Sequence, residues 1–407
     1  MKTAQTPSDL DPLILEKAKQ VPAILKEMEI DLWLLFVRET EVLHDPTLDM
    51  VVGTDVTWES AMLYSVDGRR IALVGNLDVA RTERAGVFDQ VIGYVKGIGD
   101  DLRRLLGELD PQRVALNYSV ESELADGLTH GMYLRLGELL EGTPYMARAC
   151  SSRPIVAALR GRKSAVEIDR VRRACVITQE IFDAVTPKLR VGQTEKQVAA
   201  LLRAEMDRRG LGPAWAADHC PAVFTGPDSA GAHAGPTDAP IEPGHVMNVD
   251  MGVKVEGYCS DMQRTWYFLR EGEEQAPPAV QKGFETIRDA IREAGEALRP
   301  GRLGHEVDAV ARGHITERGY PEYDHGLGHQ VGRTAHDGTG LLCPLWERYG
   351  GRAEEAVEES QIYTLEPRLP IEGHGIATME EIVVVTAEGC EYLSPPQTEL
   401  YLVPSDR

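Results

Sequence analysis

Two carboxylates lie at a spacing that a β-hairpin would bring together. In the run 245–268, Asp250 and Asp261 are equidistant from Val255-Glu256, so a turn there sets them directly opposite each other on adjacent strands. Facing positions hold their Cβ atoms about 5 Å apart on one side of the ribbon. Two carboxylates at that distance repel each other unless a proton or a cation lies between them. The pattern therefore predicts a cation site.

A second hairpin pattern repeats this arrangement. In the run 361–386, Glu366 and Glu380 are symmetric about Gly373 and again face each other. The plainer interpretation of either pair is an exposed strand face with ordinary charge repulsion. Both runs are otherwise apolar, which indicates burial and favours the cation site.

Between the two hairpins, the run 323–340 carries His325, His329 and His336 among small residues. Glycines let the backbone and an imidazole approach a common centre closely. One neutral imidazole with four carboxylates forms a hard, mostly oxygen site that suits two divalent ions, with Mn²⁺, Co²⁺ and Zn²⁺ all acceptable. Four negative charges balance two dications, so a bridging water can lose a proton near neutral pH. These residues predict a dinuclear metallohydrolase.

The composition and net charge of the chain limit the classes of molecule that it is expected to bind. The chain has 407 residues, 43 Lys and Arg, 65 Asp and Glu, a net charge of −22 and a hydrophobic fraction of 43%. That charge repels phosphate backbones and anionic lipid, so we expect neither nucleic acid nor a membrane surface as partner. The same surplus also fits an ordinary solvated surface. Scattered cysteines and an N-terminus without an apolar h-region predict a cytoplasmic protein with reduced thiols.

The helices and strands that position these side chains are predicted to form two domains. We place the boundary between the domains at residues 155 and 156. The run 13–28 is amphipathic and predicts a helix. Short β-like runs follow it, so the first domain is predicted to be α/β. These runs are 31–37, 69–76, 91–95 and 113–118. The basic run 148–164 is interrupted by Pro154 and Gly161 and is predicted to link the domains.

The second domain opens with two helix signals. Ser164 with Glu167, and Thr194 with Gln197, are capping boxes that precede apolar positions at helical spacing. The first helix runs toward Val185 and the second stops at Gly210.

The same plan recurs in predicted helices at about 278–298 and 304–319. The run 189–198 aligns with 298–307 at an offset of 109, sharing Leu, Arg, Gly and Val. Each copy is followed by a hairpin signal, which predicts an internal duplication of helix, helix and hairpin.

Four motifs in this domain resemble a known family in order and spacing. They are GYCSDMQRT (257–265), HGLGHQVGRTAHD (325–337), TLEP (364–367) and EEIVVVT (380–386). The segment 160–400 resembles the pita-bread metallopeptidase superfamily, which includes methionine aminopeptidases, Xaa-Pro aminopeptidases, prolidases and creatinase. The first 150 residues resemble the extra domain of the creatinase and prolidase branch. The resemblance implies an α/β N-terminal domain (1–155) and an α+β pita-bread catalytic domain (156–407).

The resemblance also implies a ligand set for the two ions. Asp261 and Glu380 would bridge the ions, and Asp250 would complete one site. His329 and Glu366 would complete the other site. Glu366 would in addition serve as the general base.

Three further histidines match catalytic positions of the family. His233, in GAHAGPTD, corresponds to a histidine close to the scissile amide or its leaving nitrogen. His325 and His336 correspond to residues that line the substrate site and stabilise the tetrahedral intermediate. The alternative for His325 is a packing role or one behind the ligands. Ordinary structural roles are expected for His219, His245 and His374.

The chain departs from the family pattern at two positions and in one segment. Gln263 stands where a Thr is usual, and Thr378 stands where Xaa-Pro enzymes usually carry an Arg. The segment 341–360 is longer and more charged than the resemblance leads us to expect. Trp346 and Arg348 in it are predicted to bind the substrate, with the arginine receiving a free carboxylate. The alternative is a variable surface insertion.

Together these features predict a metal-dependent exopeptidase that hydrolyses Xaa-Pro bonds of short peptides. We favour an Xaa-Pro dipeptidase (prolidase), because the charged segment could close over the C-terminal side of the substrate. The alternative is an Xaa-Pro aminopeptidase that acts on longer peptides. A catalytically silent binding protein and a creatinase-like C–N hydrolase are disfavoured, since the full ligand set is retained. The resemblance further implies a homodimer.

Overall fold

The chain forms two compact units, Met1–Arg160 and Gly161–Arg407. The computed structural model of the protein describes residues 11–229, 231 and 235–405. Within those ranges, no helix combines the length and the apolar character that crossing a bilayer requires.

The first unit is built around a six-stranded sheet with the order β4-β3-β2-β1-β5-β6. Its strands are β1 (Leu32–Val37), β2 (Ser60–Ser65), β3 (Arg70–Gly75), β4 (Gln90–Tyr94), β5 (Val114–Leu116) and β6 (Ala149–Ser151). Its helices are α1 (Pro12–Glu27), α2 (Leu48–Val51), α3 (Val79–Ala85), α4 (Gly99–Leu109), α5 (His130–Leu139) and α6 (Arg153–Gly161). β1 pairs antiparallel with β2 and parallel with β5. The sheet is therefore mixed.

Alternate residues of β1 belong to two different cores. Trp33 and Leu35 pack into one apolar cluster, while Leu34 and Phe36 pack into another. Because successive side chains of a strand point to opposite faces, both faces of the sheet are covered. This confirms the predicted α/β class of the first unit.

The basic run 148–164, predicted to link the domains, contains regular structure, and the division between the two compact units falls within it. It forms the edge strand β6 and the helix α6. Pro154 is the second residue of that helix and Gly161 the last. Proline is tolerated in the first turn of a helix, where the missing N–H has no intrahelical partner, so these residues bound a helix here.

The second unit contains the duplicated helix pairs. They are α7 (Ala165–Val185), α8 (Glu195–Arg208), α9 (Pro278–Ala297) and α10 (Gly304–Glu317). Both predicted capping boxes are present, at the starts of α7 and α8. α8 and α10 have 14 residues each, and their first residues differ by 304 − 195 = 109 positions. The second copy keeps half of its box, since the Leu303 amide donates to Glu306 at 3.0 Å. The predicted duplication is confirmed.

The strands of this unit form several small sheets. They are β7 (Ala222–Thr225), β8 (Val246–Met251), β9 (Lys254–Val255), β10 (Tyr258–Cys259), β11 (Met262–Phe268), β12 (Gly328–His329), β13 (Leu341–Leu342), β14 (Ile362–Leu365), β15 (Arg368–Ile371), β16 (Gly375–Thr378), β17 (Glu381–Val385), β18 (Cys390–Tyr392) and β19 (Tyr401–Val403). Leu369 and Ala377 pack with α9 and α10 in one apolar core. The opposite face of β15 and β16 therefore points away from these helices.

The register of the first hairpin corrects the sequence prediction. Asp250 pairs with Gln263 and does not face Asp261. The turn residues are Glu256 and Gly257, with φ of 46° and 84°. A two-residue hairpin turn of type I′ requires positive φ at both residues, and glycine adopts it at no steric cost. The turn therefore centres one residue later than predicted. Asp261 lies two residues before Gln263 and so is the diagonal neighbour of Asp250 on the same face.

The register of the second hairpin matches its prediction. Leu365 pairs with Glu381, and the ladder nearer the turn, between β15 and β16, continues the same register. Glu366 and Glu380 are therefore opposite each other, symmetric about Gly373, as the sequence predicted.

Candidate metal centre

A short β-bridge joins the two hairpins. The Gln263 amide donates to the Glu380 carbonyl at 3.4 Å, and the Glu380 amide donates back at 3.2 Å. The buried guanidinium of Arg264 donates to the carbonyls of both residues, at 2.9 and 3.1 Å. Arg264 is itself paired with buried Glu381 at 3.1 Å. This junction brings the carboxylates of the two hairpins to one place.

Three predicted ligands form a compact cluster at this junction. Asp261, His329 and Glu380 each offer a ligand atom, and these atoms lie within 4.8 Å of one another. His329 Nε2 is also 3.2 Å from Glu366 Oε1. Asp250 is close enough for its charge to raise the pKa of Asp261. All five predicted ligands therefore belong to one site.

Neighbouring strands orient the imidazole of His329. Its strand pairs with β13, where His329 is opposite Leu341. The His329 amide donates to Thr364 Oγ1 at 3.1 Å, and that hydroxyl donates to Glu366 Oε1 at 3.2 Å. His329 Nδ1 lies 3.4 Å from the Gln330 carbonyl, which leaves Nε2 facing the carboxylates. Thr364 thus contacts two of the predicted metal ligands, His329 and Glu366.

The donor atoms of this site fit divalent cations. Asp250 Oδ1 and Glu380 Oε1 are buried, and neither has a hydrogen-bond partner among the described residues. An unpartnered buried carboxylate oxygen is costly unless a cation compensates it. Carboxylate oxygens with one imidazole nitrogen suit Mn²⁺, Co²⁺ or Zn²⁺. The residues present therefore fit the metal that the sequence predicted.

The pKa values of three predicted ligands indicate that a bound cation would replace protons on these carboxyl groups. Burial, followed by the charge of Glu366, raises the pKa of Asp250 to about 8. Burial, followed by the charges of Asp250 and Glu366, raises the pKa of Asp261 well above its usual range. The pKa of Glu380 is raised in the same way by burial and by Asp261 and Glu366. Without a cation, these groups hold protons that a cation would displace.

Glu366 differs from the other carboxylates. Burial acts to raise its pKa, but the hydrogen bond from His329 and the charges of His329 and His325 outweigh burial. Its pKa is therefore lowered from the ordinary value. A carboxylate that stays ionised beside the cluster can accept a proton.

The structure brings two of the three predicted catalytic histidines to the site. The His336 ring centroid is 4.1 Å from that of His329, with the rings nearly perpendicular at 88°. His325 Nδ1 is 2.7 Å from the Gly326 carbonyl, and burial lowers the pKa of His325. His233 lies outside the described residues. The three histidines expected to have structural roles have ordinary contacts: His245 and His374 bond to backbone groups, and His219 lies beside Asp218.

The segment 341–360 takes part in the fold of the unit. It begins with β13, paired to the strand of His329, and continues into two short 3₁₀ helices within Glu347–Glu354 that are separated by a kink at Gly350. Leu342 and Val357 belong to the apolar core of this unit. The two ends of the segment are therefore anchored in the core, while residues 344–352 are half-buried or exposed. The choice between a substrate-binding segment and a variable surface insertion stays a prediction.

Trp346 and Arg348 lie at the exposed part of this segment. The Trp346 ring stacks on Tyr349 with centroids 6.0 Å apart. The Arg348 guanidinium lies 4.7 Å from the Trp346 ring centroid and donates to the Asp324 carbonyl. Asp324 directly precedes His325, so these contacts hold the segment beside a predicted catalytic histidine.

Three site residues were missed or only partly recognised from the sequence. Thr364 lies two residues before Glu366, so the period of a strand places both on one face and could have identified it. Arg264 follows Gln263, but its role depends on Glu380, which is distant in sequence. Gln263 was noted only as a departure from a family pattern, although its side chain donates to Glu380 at 3.0 Å.

Residues 169–387 match the model of metallopeptidase family M24. Since that match spans more than half of the chain, the protein belongs to this family. The predicted membership of the pita-bread metallopeptidases, with their creatinase and prolidase branch, is confirmed, and so is the predicted enzyme class.

Particular relatives agree with this placement. The chain is 30% identical over 248 residues to an Xaa-Pro dipeptidase of Pyrococcus furiosus, which covers 60% of this chain and 66% of the relative. An Xaa-Pro dipeptidase structure from Bacillus anthracis superposes with a TM-score of 0.74 at 24% identity, covering 96% of this chain and 100% of that one. An X-Pro aminopeptidase structure from Thermotoga maritima gives 0.70 at 24%, covering 95% and 99%. The two structures establish the pita-bread fold.

Proposed function

We propose that the protein is a dinuclear metal-dependent exopeptidase that hydrolyses Xaa-Pro bonds of short peptides, as an Xaa-Pro dipeptidase. The observation that carries the proposal is the cluster of Asp261, His329 and Glu380, with ligand atoms within 4.8 Å. A relative named as an Xaa-Pro dipeptidase supports the choice of substrate.

The ligands divide between two ions. Asp261 and Glu380 would serve both ions, Asp250 would complete the ligands of one, and His329 with Glu366 would complete those of the other. Four carboxylates balance two dications, so Zn²⁺, Mn²⁺ and Co²⁺ all fit in charge and donor type. When bound, the ions supply Lewis acidity and lower the pKa of a water molecule toward neutrality.

Side chains of the protein transfer the proton and stabilise the negative charge that develops during the reaction. The Glu366 carboxylate accepts the proton of the attacking water and transfers it to the leaving nitrogen. His325 and His336 stabilise the negative charge that develops on the carbonyl oxygen. His233 lies near the scissile amide or its leaving nitrogen in this proposal. These roles account for every histidine that the family pattern singles out.

The selection of dipeptides is assigned to the segment 341–360. Trp346 and Arg348 receive the C-terminal carboxylate of the substrate, because a guanidinium is the strongest partner for a free carboxylate. The stack of Trp346 on Tyr349 supports this by holding the segment in one arrangement beside Asp324 and His325.

The proposal extends to the whole protein. Residues 1–155 form an N-terminal domain that accompanies a catalytic domain at 156–407. We propose a cytoplasmic homodimer whose partner is a small peptide, with no role in binding nucleic acid or membranes.

The contacts of Arg348 favour the second candidate, an Xaa-Pro aminopeptidase acting on longer peptides. The Arg348 guanidinium is already engaged by two aromatic rings, at 4.7 and 4.9 Å, and by a carbonyl. If those contacts persist with substrate bound, the arginine cannot clamp a carboxylate, and an extended peptide would pass beside it.

A substrate series separates the two candidates. Hydrolysis of Ala-Pro and Ala-Pro-Ala is compared for the metal-free protein after addition of Mn²⁺, Zn²⁺ or Co²⁺, with the Asp261→Ala variant as control. The dipeptidase proposal expects cleavage of Ala-Pro only. Efficient cleavage of Ala-Pro-Ala would replace it by the aminopeptidase. Absence of cleavage of either peptide with all three ions would refute both.

A further inference from the structure

Two side chains that depart from the family pattern contact each other. Thr378 Oγ1 donates to Gln263 Oε1 at 3.1 Å, although the residues lie in different hairpins. Gln263 Nε2 in turn donates to Glu380 Oε2 at 3.0 Å and lies 3.5 Å from Glu366 Oε2. Gln263 and Thr378 are only 5% and 3% exposed. A buried hydrogen-bonded chain therefore ends on two of the proposed metal ligands.

We propose that Gln263 and Thr378 act together as positioning residues for the metal centre. In this inference, which rests on the proposed two-metal peptidase, they fix the mutual orientation of the bridging carboxylate and the general base. Neither residue touches the substrate, and both act through Glu366 and Glu380.

The direction of the amide is decided by its surroundings. With the two ions bound, Glu366 and Glu380 are ionised and only accept hydrogen bonds, so Gln263 presents its NH₂ group to them. Its carbonyl oxygen then points the other way and needs a donor, which the Thr378 hydroxyl supplies. The hydroxyl has one proton, and its alternative acceptor, the Pro367 carbonyl, is farther away at 3.3 Å. Loss of the hydroxyl removes the contact that opposes rotation of the amide.

The backbone makes this contact rigid. Gln263 and Glu380 form the β-bridge between the hairpins, so the amide and the carboxylate extend from backbone atoms that are already hydrogen-bonded. Gln263 occupies Glu380 Oε2, while Glu380 Oε1 is buried and has no hydrogen-bond partner among the described residues, which leaves Oε1 available to a cation. A carboxylate oxygen has two lone pairs, so Oε2 can accept from the amide and still face a cation.

Gln263 and Thr378 are both neutral, which affects the electrostatics beside the metal centre. A neutral amide donates to Glu380 in a chain that carries Thr378 where Xaa-Pro enzymes usually carry an arginine. The side chains at 263 and 378 thus orient the carboxylates without adding a positive charge, which would weaken the attraction of the carboxylates for two dications. The nearby charge of Arg264 is paired with Glu381.

Substitutions at the two positions test the inference by measuring metal binding. Dissociation constants of Mn²⁺ and Co²⁺ are measured by calorimetry on metal-free protein, and the visible spectrum of the Co²⁺ form reports ligand geometry. Gln263→Met keeps the length of the side chain but removes the amide, and we expect about 10–100-fold weaker binding, the usual effect of losing a residue that orients a ligand. Thr378→Val is expected to weaken binding in the same direction, while Thr378→Ser restores it.

The double variant tests whether the two residues act as one unit. If Thr378 works through Gln263, then Gln263→Met/Thr378→Val binds no more weakly than Gln263→Met alone. Thr286→Val is the matched control, because it removes a buried hydroxyl that bonds within α9. It is expected to lower Tm without changing the dissociation constants or the Co²⁺ spectrum.

Several results would overturn the inference. Wild-type dissociation constants and an unchanged Co²⁺ spectrum in Gln263→Met, with only Tm lowered, would show a purely structural role. If Gln263→Met does not fold, equal metal binding by the Val and Ser variants of Thr378 overturns the inference in its place. A wild-type protein that binds no ion and cleaves no Xaa-Pro peptide overturns the proposed function as well, whereas an active wild type with unaffected variants overturns only the positioning role.

Discussion

Glu366 and Glu380 face each other across the second hairpin, and their pKa values are displaced in opposite directions. Burial acts on both, but Glu366 receives a hydrogen bond from His329 and another from Thr364, which lower its pKa. The pKa of Glu380 is raised, because its charged neighbours are the carboxylates Asp261 and Glu366 and its side-chain donor is the neutral Gln263. Glu366 is therefore ionised in this cluster, whereas Glu380 needs a proton or a cation to neutralise its charge.

The substitution Glu366→Gln distinguishes the role of Glu366 as general base from its role as metal ligand. The amide keeps an oxygen that can face a cation but cannot accept a proton at neutral pH. We expect kcat for Ala-Pro to fall by about 10²–10⁴-fold, the usual contribution of a positioned base, with metal content near that of the wild type. Steady-state kinetics and elemental analysis measure the two quantities. A kcat within a few fold of wild type would assign the proton transfer to another group.

Asp261→Ala and Glu380→Ala should each remove bound metal. Both residues belong to the compact cluster, and as proposed bridging ligands each serves both ions. We expect metal content after dialysis to fall to less than half of the wild-type value, together with loss of activity. Glu388→Ala, which changes an exposed carboxylate in a turn, is the control and should bind metal as the wild type does. Full metal content in either site variant would contradict the bridging assignment.

His336→Ala should lower turnover without releasing metal. Its ring packs against His329, but the residue is exposed and is proposed to contact the substrate. The expected loss in kcat is about 100-fold, comparable to removing one donor to a developing oxyanion. Kinetics and elemental analysis are again combined. Loss of metal from this variant would show that the ligand set has been assigned incorrectly.

Arg348→Ala tests recognition of the substrate carboxylate. If its guanidinium receives that carboxylate, KM for Ala-Pro should rise about 10-fold, which corresponds to about 1.4 kcal/mol. The C-terminal amide of the same dipeptide should show little change in KM. Arg299→Ala, at an exposed position after α9, controls for the loss of a positive charge. Equal effects on the acid and the amide would refute this role of Arg348.

The metal-free protein should lose stability as the pH rises. The pKa of Asp250 is raised to about 8, and those of Asp261 and Glu380 are also raised. A raised pKa in the folded state contributes stability that is complete below the unfolded value of about 4 and is lost as pH rises through the folded value.

Asp250→Asn isolates this contribution, because its side chain stays neutral. Without metal, the Tm of this variant should exceed that of the wild type more at about pH 9 than at about pH 5. Each 1 kcal/mol shifts Tm by about 2–4 °C for a unit of this size. Thermal unfolding of both proteins after chelation measures the difference, and a difference independent of pH would contradict the raised pKa.

Local signals in the sequence were sufficient for much of the catalytic unit. Ser164 and Thr194 begin α7 and α8 because a capping box is formed by residues three positions apart. The offset of 109 predicts the start of α10 from that of α8. The symmetry of Glu366 and Glu380 about Gly373 held because the turn there fits the register that the apolar pattern indicates.

The register of the first hairpin could not be obtained in that way. Counting residues around Val255-Glu256 placed Asp250 opposite Asp261, but positive φ at Glu256 and Gly257 moves the turn by one residue. The proposed ligand set is unaffected by this error, because Asp261, as the diagonal neighbour of Asp250 on the same face, is still close to it.

By itself, the sequence determined which residues are candidate ligands, where the helices begin, and that the catalytic half is duplicated, since these depend on residue types and on short-range hydrogen bonds. Only the tertiary structure decided how the two hairpins meet. The bridge between Gln263 and Glu380 joins residues more than a hundred positions apart. The bond from Thr378 to Gln263 follows from that bridge. Such contacts depend on the packing of distant strands, which no local pattern encodes.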